Sequence, residues 1–169
     1  NINYPLKSEI MSLKDLTMQQ HRDAERQKFA GVLMSGKISK KMYLRYLINQ
    51  YACYSALENM ALFSLPNEKL KRSENIQKDI NELKLDLGID LSDELENMIT
   101  NSTRDYISHV KNIEKEDDFI AHVYVRYLGD LRGGQMIAKK IPGQGYYYHF
   151  DNPQELANDI YQKLNDNMA

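Results

Sequence analysis

A chain of 169 residues with 42% apolar and 27% charged side chains is long enough for one packed domain and too balanced in composition to be disordered. Its formal charge of −2 supplies no basic field for nucleic acid, and its single cysteine, Cys53, excludes an internal disulfide and fits a reducing compartment. No apolar run approaches the roughly 18 residues that a membrane span requires. No signal peptide is visible at Asn1, and the missing Met suggests a processed or trimmed start. Twelve tyrosines without a tryptophan leave two readings open: a core lined with phenols, or a pocket offering hydroxyls beside apolar surface.

The predicted elements are all helical. Apolar residues recur at three and four, and the four prolines fall at helix boundaries. Ser12 caps a first helix running to about Ala30, and residues 31–37 read as a break. Ser39 caps a long helix through Leu65, stopped by Pro66. A charged helix spans about Asn67 to Leu87 and ends at Gly88. The next begins near Leu91 and runs to about Ile113, with a kink expected at residues 101–103. Glu116, Asp117 and Asp118 open a helix that continues to about Lys140. Residues 142–145 form a loop, and Asn152-Pro153 starts the last helix. No period-2 stretch competes, so the fold class is all-α, a single domain over residues 1–169.

Two segments carry chemistry. The first is Tyr127-Leu-Gly-Asp-Leu-Arg-Gly-Gly-Gln135, set inside a strong helical pattern. Each interior glycine costs about 1 kcal/mol relative to alanine, so the three cost roughly 3 kcal/mol, which something must offset. At about 100° per residue, Arg126, Gly129, Asp130, Gly133, Gly134 and Ile137 share one face. That face is nearly bare backbone with one carboxylate. It suits a large flat ligand, and glycine lets the helix bend there. Close helix–helix packing is the competing explanation, weakened by Asp130, which is costly in a tight interface unless paired.

The second is a stripe on the first helix. Lys14, Met18, His21 and Glu25 fall within about 60° of one another. A neutral imidazole is a common ligand for heme iron, a carboxylate one turn away can fix its tautomer, and a lysine two turns below can meet an anionic group of the same ligand. A surface histidine in a charged helix is the plainer alternative.

Together these segments resemble the heme oxygenase family. His21-Arg-Asp-Ala-Glu25 is similar to its proximal segment, and Tyr124-Val-Arg-Tyr-Leu-Gly-Asp-Leu-Arg-Gly-Gly-Gln135 to its distal signature. Tyr51-Ala-Cys-Tyr54-Ser-Ala-Leu-Glu58 is similar to a third segment. The resemblance implies heme b, substrate and cofactor at once, held between the first helix and the glycine-kinked helix with His21 on the iron. O2 and reducing equivalents then yield biliverdin, carbon monoxide and free iron. It further implies that Asp130 orders the water serving the reacting oxygen and that Tyr54 and Arg126 belong to the same network. Gly129, Gly133 and Gly134 lie on the heme face, and Lys14 and Tyr124 meet the propionates.

Departures from the family pattern are Arg132 in place of serine, Val125 in place of threonine, and Gln162 where a basic residue is expected on the last helix. Lys163, its neighbour, is the substitute candidate. The resemblance implies a soluble form, cytoplasmic or in the plastid stroma, without a membrane span. The expected electron donor is ferredoxin or another reductase, docking on Lys37, Lys40, Lys41, Arg45, Lys139 and Lys140. Rival readings are a heme carrier or sensor without turnover, a helical interaction module, and a di-iron oxidase using Asp105 with His109 and Asp118 with His122. His149 has no matched role.

Overall fold

A computed structural model of the chain describes residues 13–90 and 92–168, with their side chains except at 13–19, 22, 92, 93 and 168. Among the described residues there are seven α-helices, two 3-10 turns and no strand. The helices are α1 (Leu13–Met34), α2 (Lys40–Glu58), α3 (Ser73–Leu87), α4 (Ser92–Glu96), α5 (Asn101–Lys111), α6 (Glu116–Ala138) and α7 (Pro153–Met168). None is long and apolar enough to cross a membrane.

Several boundaries follow from local chemistry. The Ser39 hydroxyl accepts from Met42 N at 3.1 Å and starts α2. Gly88, at φ 66°, ends α3 in the left-handed conformation that glycine adopts without a Cβ penalty. Pro153 opens α7, where its missing N–H is not needed.

Other boundaries differ from the sequence pattern, each for a tertiary reason. α1 runs through Gly31 to Met34, because Leu33 is buried in the core and one helical glycine costs only about 1 kcal/mol. α2 stops at Glu58 rather than Leu65. Glu58 is taken up by the start of α3, accepting from Arg72 N at 2.7 Å and from Ser73 N and Oγ at 3.1 and 2.6 Å. Phe63 then packs from the following loop against Phe119, with ring centroids 5.6 Å apart. Residues 68–70 form a 3-10 turn instead of opening α3. The expected kink near residue 101 is a full break, because Asn49 of α2 donates to Met98 O and accepts from Thr100 N, and Thr100 caps α5.

α6 is the central element. It stays α-helical across all three glycines, is buried from Phe119 to Leu128, and packs against α1 on one side and α7 on another. α7 runs antiparallel to it, so Asn167 reaches Glu116 and Asp117. After α6, Gly143 and Gly145 at φ 84° and 68° turn the chain into the second 3-10 turn, Tyr146–Tyr148. Asp79 of α3 accepts from Tyr146 N and Tyr147 N at 2.9 and 2.8 Å. Arg72 binds the carbonyls of Tyr147 and His149 from beside it. Among the described residues six tyrosines are fully buried, namely 43, 54, 106, 127, 147 and 148. Their rings fill the core, the first of the two readings the composition left open, and two of their hydroxyls converge on Asp130.

Candidate active site

The glycine segment of α6 opens onto a cavity of about 190 Å³ between α1 and α6. Gly129, Asp130, Gly133 and Ile137 form its α6 wall. A Cβ on Gly133 would meet nothing within 4 Å, and one on Gly129 would meet only the Arg26 guanidinium at 3.8 Å. Bare backbone here faces space rather than a partner helix. Gly134, one position on and about 100° round, does the opposite. A Cβ there would lie 2.7 Å from Tyr148 Cδ1, so Gly134 is needed for packing and turns away from the cavity.

These neighbours should therefore respond oppositely to alanine. Gly133→Ala is expected to stabilise the heme-free protein by up to about 1 kcal/mol, the helix-propensity difference. Gly134→Ala is expected to destabilise it by about 1–3 kcal/mol through overpacking against Tyr148. Thermal melts decide this. A loss of stability in Gly133→Ala would mean that the face is a packing surface after all.

Asp130 is buried, and its carboxylate is the meeting point of three elements. Arg26 of α1 donates to Oδ1 at 3.3 Å and also holds the carbonyls of Val125 and Arg126 at 3.2 and 3.3 Å. The Tyr54 hydroxyl of α2 donates to Oδ2. The Tyr147 hydroxyl lies 3.2 and 3.3 Å from the two oxygens. Burial pushes the Asp130 carboxyl above its ordinary range, against the pull of Arg26, Tyr54 and Arg126. Burial and the adjacent carboxylate also push both phenols well above theirs, so Tyr54 and Tyr147 remain proton donors.

Arg126 sits one layer out. It donates to Tyr106 Oη at 3.1 Å and Gln50 Oε1 at 2.9 Å, and lies 5.3 Å over the Tyr54 ring. It acts on Asp130 by charge and through Tyr54. Its own side chain borders a second cavity of about 410 Å³, lined also by Phe29, Gln50 and Cys53. Arg26 and Tyr46 separate the two spaces, lining both.

The remaining expected residues are distributed unevenly. His21 and Glu25 do meet on the exposed face of α1, with Nε2 to Oε1 at 2.8 Å, which engages one ring nitrogen. The expected roles of Lys14 and Met18 fall on side chains outside those described. Tyr124 is buried against Tyr161 of α7 rather than lining the cavity. Arg132 is exposed, donates to the Tyr161 hydroxyl and lies over its ring.

Lys163 does not come near the glycine face. It pairs with Glu116 at 3.3 Å, at the N-terminal end of α6. Glu116 and Asp130 are 14 positions apart in the sequence, about 21 Å along a helix. The antiparallel course of α7 carries Lys163 to the wrong end. His122 is buried with Nδ1 2.8 Å from the Tyr106 hydroxyl, and its ring lies 5.4 Å from that of His109. Among the described residues no group of three or more histidine, cysteine or carboxylate side chains is placed to hold a metal ion.

Two members of the site were not anticipated. Arg26 reads as another charge on a charged helix, and Tyr147 as an aromatic in a glycine-rich loop. The available signal for Arg26 was its place one residue beyond the His21–Glu25 stripe. Tyr147 carried none, since its position depends on Asp79 and Arg72.

The heme oxygenase family model matches residues 9–165. A heme oxygenase of Guillardia theta is 34% identical over 164 residues, covering 94% of this chain and 68% of that protein. One of Porphyra purpurea is 31% identical over 137 residues, covering 75% of this chain and 56% of its own length. The structure of a heme oxygenase from Leptospira interrogans superposes with a TM-score of 0.66 at 24% identity, over 88% of this chain and 83% of that one, a likeness of fold. With the family model spanning nearly its whole length and the all-α fold shared, the chain belongs to the heme oxygenase family.

Proposed function

We propose that this chain, acting as a single domain, binds heme b against the glycine face of α6 and opens its ring to biliverdin, carbon monoxide and iron. The observation that carries the reading is Asp130: an ionisable carboxylate buried in a bare-backbone helix face, beside a cavity, under three donors. A helix that only packs has no use for it. A carrier needs an iron ligand and no buried acid.

The residues present suit heme. Gly129 and Gly133 supply the flat backbone surface, His21 the imidazole for the iron, and Glu25 the carboxylate that orients it. Bound heme, given O2 and electrons, supplies the oxidising chemistry. Asp130 and Tyr54 then hold water and a proton at the distal face. Lys14 and Tyr124 remain the candidates for the propionates.

Electrons come from ferredoxin or another reductase, in the cytoplasm or a plastid stroma. Lys37, Lys40, Lys41, Arg45, Lys139 and Lys140 are all exposed. Lys140 lies alongside Gly36, which joins the two basic segments into one patch, although Lys40 is partly engaged by Asp86 at 3.5 Å.

The test is to add hemin, a reductant and O2 and follow loss of the Soret band with appearance of bilin. Wild type should form biliverdin. His21→Ala should lose the histidine-type ferric spectrum, and added imidazole should partly restore it. Turnover with an unaltered spectrum in His21→Ala would remove His21 from the iron. Gly133→Ala, stabilised without heme, should bind hemin more weakly.

A further inference from the structure

The Tyr146–Tyr148 turn brings to Asp130 a hydroxyl to which the reading above gives no role of its own in turnover. Tyr147 is fully buried, and its oxygen lies 3.2 Å from Asp130 Oδ1, 3.3 Å from Oδ2 and 3.2 Å from the Tyr54 hydroxyl. A phenol has one proton to donate. The acceptors described within reach belong to Asp130 and Tyr54, and Tyr54 gives its own proton to Asp130. The Tyr147 proton therefore supports the Asp130 charge directly or through the Tyr54 oxygen.

The surroundings fix this phenol firmly. Asp79 holds the Tyr147 N–H, and Arg72 holds its carbonyl at 2.8 Å. Its ring stacks on Tyr148 at 4.1 Å and meets the Tyr54 ring edge-on at 5.8 Å. Two buried charged groups thus position one hydroxyl against one carboxylate.

We propose that Tyr147 is a positioning residue for Asp130, its hydroxyl holding the carboxylate ionised and oriented for proton handling at the distal face. The proposal rests on the assignment of Asp130 as the distal acid.

The sign of its effect follows from the neighbours. The charged groups facing Asp130 are Arg26 of α1, Arg126 on α6 itself and Arg72 before α3. The phenols around it are Tyr43, Tyr46 and Tyr54 of α2, with Tyr147 and Tyr148 of the turn. A donor to the charged form favours that form, so removing one moves the carboxyl to higher pH.

Tyr147→Phe deletes the hydroxyl and keeps both ring contacts. In the heme-free chain carrying 13C at aspartate carboxyls, with Asp130 assigned through Asp130→Asn, the Asp130 midpoint should rise by about one pH unit. Tyr54→Phe should also raise it. Tyr146→Phe, whose ring is exposed, should leave it in place. The acid limb of the pH profile for biliverdin formation should move up with Tyr147→Phe by the same amount.

An unmoved midpoint in Tyr147→Phe alongside a shift in Tyr54→Phe overturns the proposal. Should Tyr147→Phe not fold, the 13Cζ signal of Tyr147 in wild type must follow the Asp130 titration, and a flat signal overturns it equally. Wild-type turnover is measured in parallel. No biliverdin from wild type, whatever the midpoints, overturns the functional reading itself. Turnover with an unmoved midpoint removes Tyr147 alone.

Discussion

Asp130→Ala is expected to bind hemin at least as tightly as wild type while biliverdin formation falls by about 10²-fold or more, the usual contribution of a positioned acid–base group. The proposed iron ligand, His21, is on α1 and the proposed flat surface is backbone, so neither is removed. What is lost is the acceptor on which Arg26, Tyr54 and Tyr147 converge. The fold should tolerate this. Arg26 keeps the carbonyls of Val125 and Arg126, and the Tyr54 and Tyr147 hydroxyls, 3.2 Å apart, can bond to each other. A stability loss of about 1–3 kcal/mol is the price of the orphaned donors. With no carboxylate to hold water and a proton, oxidising equivalents should leak to external reductants, and oxidation of a peroxidase dye should rise. Biliverdin formation by Asp130→Ala at the wild-type rate would defeat the distal assignment even if hemin binds as described.

Arg72→Ala should be the most damaging substitution for stability. Its guanidinium is buried and donates to the carbonyls of Leu70, Tyr147, His149 and Lys69 at 2.7–3.2 Å, while lying 3.7 Å over the Phe150 ring. Alanine leaves those carbonyls without a donor and opens a void beside the ring. The expected loss is about 3–5 kcal/mol, or roughly 10 °C in melting temperature for a chain of this size. Arg72→Lys should recover part of it, since one ammonium cannot reproduce the fork. Because Arg72 secures the turn that carries Tyr147, residual folded protein should also turn over slowly. A melting temperature within about 2 °C of wild type would show that Asp79 alone holds the turn.

What could be read from the sequence was whatever depends on neighbours in the chain. The Ser39 cap, the Gly88 stop, the Pro153 start and the course of α6 through its glycines are of this kind. So is the shared face of Gly129, Asp130 and Gly133. Contacts over long separations were not legible. Phe63 continues the apolar rhythm of α2 yet packs from a loop, because Glu58 has been drawn to the start of α3. Gly134 belongs to the same glycine cluster as Gly133 but faces Tyr148, a difference set by where the second turn lands. Lys163 is on a plausible face of α7, but helix periodicity says nothing about which end of α6 that face meets. Arg26 joins Asp130 across 104 positions and Tyr147 joins it from a loop held by α3, so neither could be read from local pattern.

The Arg26 contact also bears on affinity. In the state described, a guanidinium crosses from α1 to α6 over Gly129, where a flat ligand would lie. The described part of α1 buries one side chain, Leu33, so it parts from α6 at small cost to the rest of the core. A ligand that needs this contact broken finds only the open fraction of molecules competent, and its apparent dissociation constant is the intrinsic one divided by that fraction. Each 1.4 kcal/mol or so by which the Arg26–Asp130 pair favours the closed population then weakens apparent binding about tenfold. If heme binds as proposed, the charge that helps keep Asp130 ionised also sets how much ligand is needed to fill the site.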